Sequence, residues 1–223
     1  MNEPNRVRKG EIQYLVSLND EQKEAKRLII NNQIVVITGR AGSGKSLVAA
    51  ITALDFLQKK QVDKILVTRS AIEVGHSLGA LPGTMDAKFN PYIEALEENL
   101  KKCYDKLKID DLIKNEKIKG MPVQFVRGKT MDDILIVEEA QNLTKHEMLA
   151  ILTRLGKTGK IIVNGDNDQC DIHLPTGEMN GLTYAIELAK RIDGIEWIKL
   201  KENHRSDLVG QILDFEYAKN QTV

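Results

Sequence analysis

Short, nearly unbroken Ile/Val/Leu runs alternate along this chain with longer stretches in which apolar residues recur every three or four positions. The runs QIVVIT (33–38), KILVT (64–68), PVQFV (122–126), DILIV (133–137), KIIVN (160–164) and IEWIKL (195–200) are expected to be strands. Continuous apolar character is what a strand needs when helices cover both of its faces. With helical patterns between the runs, the expectation is an α/β fold: a mostly parallel sheet flanked by helices. Residues 1–18 form a polar arm, a helix is expected over 20–31, and 19–223 reads as a single domain. Residues 79–121 break the rhythm. GALPGTMDAKFNP is rich in turn residues, after which Tyr92, Leu96, Leu100, Cys103 and Leu107 fall at helical spacing, with Glu97 and Lys101 as an i,i+4 pair. This stretch is read as a helical insertion, either a packing element or a lid over a substrate channel. Trp197 alternates with Glu196 and is expected in the core.

Composition narrows the class. The 223 residues are enough for one α/β domain that buries about 70% of its unfolded surface. Hydrophobic residues are 42% and charged ones 29%, with 32 basic against 32 acidic side chains. Such a balance argues against indiscriminate nucleic-acid binding, while leaving room for a local basic groove. Neither the N-terminal MNEPNRVRKGEI nor any later stretch has the apolar length of a signal peptide or a membrane span, so a cytoplasmic protein with no membrane partner is expected. Cys103 and Cys170 lie far apart without metal-ligand spacing, and reduced thiols are expected.

The first chemistry-bearing motif is GRAGSGKS at 39–46, which fits G-x-x-x-x-G-K-[ST] between an expected strand and the helical run SLVAAITALDFL. Gly39, Arg40, Ala41, Gly42, Ser43 and Gly44 would curl the backbone so that successive N–H groups face one anion. Lys45 would reach the β and γ phosphates, Ser46 would ligand Mg²⁺, and Leu47 would continue the helix whose N-terminus faces the phosphates. This predicts a nucleoside triphosphate site for ATP and Mg²⁺.

The second motif is ILIVEEAQN at 134–142, a buried-looking strand that ends on two carboxylates. Side chains alternate along a strand, so Glu138 and Glu139 are expected to point to opposite sides and to do different work. Glu138 is assigned to the metal and Glu139 to the attacking water. A mere capping role is disfavoured, because Thr144 and Glu147 already supply a T-x-x-E capping box for the next helix. The strand KILVT between the two motifs suits ATPases that carry their own catalytic acid, which disfavours a small-molecule kinase.

These motifs, with VTRSAIEVGHSLGALPG (67–83), VRGKTMDD (126–133), LTRLG (152–156) and NGDNDQ (164–169), make the chain resemble the PhoH family of phosphate-starvation-inducible ATPases. Through that family it is similar to the first RecA-like core of superfamily 1 helicases. The resemblance implies a RecA-like P-loop ATPase domain with single-stranded RNA or other nucleic acid as partner and possible helicase activity. It implies Gln169 as the γ-phosphate sensor and Arg205, in KENHRSDLVGQIL, as an arginine on the γ-phosphate. Gln22 in LNDEQK becomes a reader of adenine, although Asn19 and Gln22 also have the spacing of a helix-capping pair. The family pattern normally has Asp before the catalytic Glu, so Glu138 departs from it by one methylene. Arg69, Arg127 and Lys129, read as strand-end residues, are the candidates for phosphate contacts to nucleic acid, with Phe89 and Tyr92 as lesser stacking candidates. A helicase needs two motor cores and this chain has room for one. A homo-oligomer such as a hexameric ring is therefore expected, with Arg154 or Arg205 donated to a neighbour's site. The alternative is a nucleotide-gated assembly or switch protein that acts on a protein partner without unwinding.

Overall fold

The structure, a computed structural model, describes residues 14–70, 72–73, 76–77, 85–202, 208–212 and 215. In chain order the elements are α1 (Asp20–Asn31), β1 (Ile34–Gly39), α2 (Lys45–Gln58), β2 (Ile65–Arg69), β3 (Ile72–Glu73), β4 (His76–Ser77), α3 (Met85–Cys103) and α4 (Lys106–Lys114). There follow β5 (Ile118–Gly120), α5 (Val123–Val126), β6 (Ile134–Glu138), α6 (Lys145–Leu152), β7 (Lys160–Gly165), α7 (Gly181–Ala189) and β8 (Ile195–Leu200). Two 3₁₀ turns, Ala140–Asn142 and Asn167–Gln169, follow β6 and β7.

Six strands form one parallel sheet in the order β5-β2-β6-β7-β1-β8, and β3 and β4 make a separate antiparallel pair. The continuous apolar runs are explained by the two cores they feed. Ile134 and Ile136 face one side with Ala25 and Ile29 of α1, Ala50 and Leu54 of α2, and Leu96 and Leu100 of α3. Leu135 and Val137 face the other with Met148 and Ile151 of α6 and Leu182 of α7. Each such side chain, fully withdrawn from water, contributes roughly 1.5–3 kcal/mol, so a slip by one residue would exchange two complete sets of contacts.

Three expectations change here. PVQFV is not a strand. Pro122 has no N–H to give a ladder and its φ of −58° suits a helix start, so Val123–Val126 forms one helical turn with Val123 and Val126 buried. The missing strand is β5, inside the stretch read as a helical insertion, where Ile118 pairs with Ile65 at the sheet edge. Trp197 is not in the core. It lies on edge strand β8, 40% exposed, with its indole N–H donated to Thr38 Oγ1 at 2.9 Å and Lys190 Nζ 5.7 Å from the ring centre.

The described part of the insertion packs against the rest of the domain. Ile93, Leu96, Leu100 and Cys103 of α3 and Ile109 of α4 are buried, while Leu107, expected on the same stripe, is exposed. Lys101 pairs with Glu97 as expected, and also with Asp110 of α4, each at 2.5 Å. Phe89 and Tyr92 have no described side chains. Cys103 and Cys170 are free thiols, and burial pushes the Cys103 thiol up to about 11. No described helix is long and apolar enough to cross a membrane.

Candidate nucleotide site

The site forms where β1, β6 and β7 end, because in a parallel sheet all three carboxyl ends lie on the same edge. Strand β7 stands between β1 and β6 in the sheet, with β2 on the far side of β6. The strand lying between the two motifs in space is therefore β7, not the KILVT strand that lies between them in sequence.

The loop after β1 turns on Gly42 (φ 88°) and Gly44 (φ 87°), backbone conformations that side chains other than glycine rarely take. Gly44 is the N-cap of α2 and has no side chain to satisfy the helix's first N–H groups. Those donors, with the positive end of the helix dipole, are left for an anion. Lys45 Nζ is folded onto the loop, donating to Gly39 O at 2.6 Å and Arg40 O at 3.2 Å.

On the other wall, Ser46 Oγ donates to Glu138 Oε2 at 2.9 Å, and Asn164 Nδ2 donates to Glu138 Oε1 at 3.0 Å. Removal from bulk water pushes the Glu138 carboxyl up. The hydrogen bonds from Asn164 and Ser46 oppose that rise, Glu139 adds to it, and Lys45 opposes it. Glu139 is exposed and has φ 50°, a left-handed conformation that ends the strand's alternation. The opposite-sides expectation fails for this reason: the left-handed turn brings Glu139 round, so both acids line one cavity of ≈ 290 Å³. The same cavity is lined by Ala41, Gly42, Gly44, Lys45, Ser46, Leu47, Gln169, Asn164, Gly165, Asp166 and Asn99.

Two side chains with no role in the sequence reading tie these parts together. Gln141, fully buried, donates from Nε2 to Glu139 Oε2 at 2.5 Å and to Gln169 O at 3.2 Å, while its Oε1 accepts from Asp166 N at 3.0 Å. Gln169 Nε2 in turn donates to Asp166 Oδ2 at 2.9 Å. Asn164 carries the second connection. KIIVN ends a buried strand on a polar side chain, the same signal that singled out ILIVEE, and could have been found by it. Asn99 has no local signal, since only the packing of α3 brings it to the cavity.

The remaining candidates scatter. Gly39 and Ser43 are buried in the loop and Arg40 is exposed; none of the three lines the cavity. Gln22 sits behind the loop, 3% exposed. Its Oε1 accepts from Asn19 N as half of the capping box, and its Nε2 donates to Ser43 O at 3.2 Å. A Cβ on Gly44 would collide with that Nε2. The capping box is thus formed, with one end of the carboxamide on the cap of α1 and the other on the P-loop. Gln22→Ala is accordingly expected to lower ATP and GTP turnover together, by roughly tenfold for the loss of the two hydrogen bonds made by this buried carboxamide; a parallel assay of both nucleotides checks it, and a loss confined to ATP would support the adenine role.

Arg69 is the last residue of β2, in register with Glu138, on the nucleotide edge. Arg127 and Lys129 are not at strand ends on that edge. They follow α5 and precede β6, close to Arg154, whose Nη1 donates to Arg127 O at 3.3 Å and whose carbonyl accepts from Met131 N. The chain enters β6 here, so these residues lie at the sheet edge opposite the nucleotide cavity. Arg205 lies outside the described residues.

The donor set fits Mg²⁺. Ser46 and Glu138 supply hard oxygen donors, and the unpartnered Oδ1 of the neighbouring Asn164 can accept from water beside them. Among the described residues no three His, Cys, Asp or Glu side chains converge to hold a metal, so the protein supplies part of a shell that phosphates and water would complete.

A family model for PhoH-like proteins matches residues 14–216, the strands, loop and acids just described. The chain belongs to the PhoH-like protein family. It is 35% identical to a PhoH-like protein of Bacillus subtilis, over 93% of this chain and 71% of that protein. With a PhoH-like protein of Mycobacterium tuberculosis it shares 40% identity over 89% of its own length and 56% of the relative's. With Protein PhoH of Escherichia coli K12 the figures are 36%, 78% and 49%. The chain thus spans about 49% to 71% of the length of these relatives. Among solved structures, the large terminase of a thermophilic bacteriophage aligns with TM-score 0.54 at 10% identity, covering 89% of this chain and 50% of that one. The Pif1 helicase from Bacteroides in complex with ADP-AlF3 and ssDNA aligns with TM-score 0.51 at 13% identity, covering 91% and 47%. At such identities the likeness is one of fold: a parallel sheet flanked by helices, with the P-loop after β1.

Proposed function

We propose that this chain is an Mg²⁺-dependent ATPase that hydrolyses ATP to ADP and phosphate and couples the cycle to single-stranded RNA or other nucleic acid. The observation that carries the reading is the convergence of Lys45, Ser46, Glu138, Glu139 and Gln169 on one cavity at the end of β1, β6 and β7. When bound with the nucleotide, Mg²⁺ would offset charge on the β and γ phosphates. Ser46 and Glu138 are the residues to hold it. Ser46 donates its hydrogen bond to Glu138, which leaves the hydroxyl lone pairs for the ion. Lys45 exchanges the carbonyls of Gly39 and Arg40 for phosphate oxygens. Glu139, exposed at the cavity wall, orients water and takes its proton. Gln141 holds Glu139 and the backbone of Gln169 together, a direct path by which loss of the γ-phosphate would be felt after β7.

Nucleic-acid coupling finds support in the helicase-like core and in Arg69 on the nucleotide edge. With Arg127 and Lys129 on the opposite edge, the second reading gains: an ATP-gated switch that acts on a protein partner. Measuring ATP turnover with and without single-stranded RNA and DNA across a salt series separates the two. Stimulation that fades steeply with salt supports phosphate contacts, whereas no stimulation at low salt favours the switch. The homo-oligomer, such as a hexameric ring, is retained as part of the proposal. Arg154, remote from its own cavity, is the described candidate to reach a neighbour's, and turnover that does not depend on protein concentration in a monomeric sample would refute it.

A further inference from the structure

Glu138 is held from two sides, and only one holder belongs to the P-loop. The register Val137↔Val163 sets Glu138 and Asn164 in step across β6 and β7, on the same face of adjacent strands. Asn164 is fully buried, lines the cavity, and presents its amide N–H to Glu138 Oε1 while Ser46 takes Oε2. A carboxylate can face only the NH₂ end of the carboxamide, so the other end is determined as well. That other end, Oδ1, is a buried oxygen without a hydrogen-bond partner. A buried orphan acceptor is costly unless the site at work supplies a donor.

Glu138 has one methylene more than an aspartate, a reach longer by about 1.5 Å. A longer side chain also has one more rotatable bond, and left free it would sample positions that a near-octahedral ion does not tolerate. Asn164 removes that freedom. We propose that Asn164 is the positioning residue that makes Glu138 usable as a metal carboxylate: its Nδ2 fixes one carboxylate oxygen, and its Oδ1 accepts from water in the ion's shell. The proposal rests on the Mg²⁺-dependent ATPase reading and goes beyond it by assigning the residue that sets the metal's affinity. Asn164 acts through Glu138 and through water, without touching phosphate.

The test measures metal binding directly. Free Mn²⁺ is titrated by its electron paramagnetic resonance signal in the presence of a non-hydrolysable ATP analogue, and analogue affinity is measured separately in EDTA. Asn164→Ala and the near-isosteric Asn164→Leu are each expected to weaken Mn²⁺ binding by about tenfold or more, as losses of a metal ligand's hydrogen-bond partner do. Affinity for the analogue in EDTA is expected to stay within about twofold, because neither change touches the phosphate cradle. In a Glu138→Asp background the shorter acid no longer meets Asn164, so Asn164→Ala should there cost less than about twofold. Mn²⁺ binding at the wild-type level in both single variants would overturn the proposal. So would an equal loss in the Glu138→Asp background, or loss of analogue binding in EDTA, since each would make Asn164 a structural residue with no route through Glu138. If the wild-type chain itself holds no Mn²⁺ with the analogue, the metal-dependent ATPase reading falls first, and this assignment with it.

Discussion

Glu139→Gln is expected to bind ATP with near wild-type affinity and to hydrolyse it about 10²–10⁴ times more slowly, the usual loss for a positioned general base. The substitution keeps the side chain's length and its carbonyl oxygen, so the hydrogen bond from Gln141 Nε2 can persist. It removes only the ability to accept a proton. Glu139 already holds a left-handed backbone conformation with φ 50°, and an amide side chain tolerates that region at least as well as a carboxylate. The fold should therefore be unaffected. Phosphate release together with fluorescent-nucleotide binding checks both halves. Turnover within about threefold of wild type would assign the proton to another group and leave Glu139 as a polar wall of the cavity.

Lys45→Ala should act earlier, on binding itself. The ammonium group lies against the carbonyls of Gly39 and Arg40 and electrostatically favours the charged form of Glu138. Its loss removes charge-assisted hydrogen bonds to phosphate worth roughly 1.5–3 kcal/mol each, a fall of about 10- to 100-fold in nucleotide affinity. At saturating nucleotide a further loss of about 10²–10³ in turnover is expected, because the same charge stabilises the transferred phosphoryl group. Lys45→Arg should rescue little, since a planar fork does not replace a compact ammonium threaded between two loop carbonyls. Equal nucleotide affinity of Lys45→Ala and wild type, measured by calorimetry, would mean that phosphate does not enter this loop.

The two predictions draw on parts of the site that differ in how they are written into the chain. GRAGSGKS is a local structure. Its glycines, its lysine and the helix behind it are adjacent in sequence, so spacing alone conveys the geometry. The capping boxes Asn19/Gln22 and Thr144/Glu147 are legible for the same reason. Glu138 was legible as the polar end of an apolar strand. The direction of Glu139 was not, because alternation holds only while the strand lasts and a single left-handed residue ends it. PVQFV misled through composition: β-branched and aromatic residues outweighed Pro122, yet the ladder position was taken by Ile118–Gly120, just ahead of that run. Trp197 misled through size, since a large ring on an edge strand needs only one covered face.

By itself, the sequence determined the periodicities of the elements, the phosphate loop and the acids that close β6, because each is decided by neighbours within a few positions along the chain. The tertiary structure alone decided the lateral order β6-β7-β1. That order places Asn164 against Glu138 and brings Gln169 within reach of Gln141. The physical reason is that strand order follows from which helices bury which faces, a sum over many distant apolar contacts, and no local pattern of residues encodes that sum.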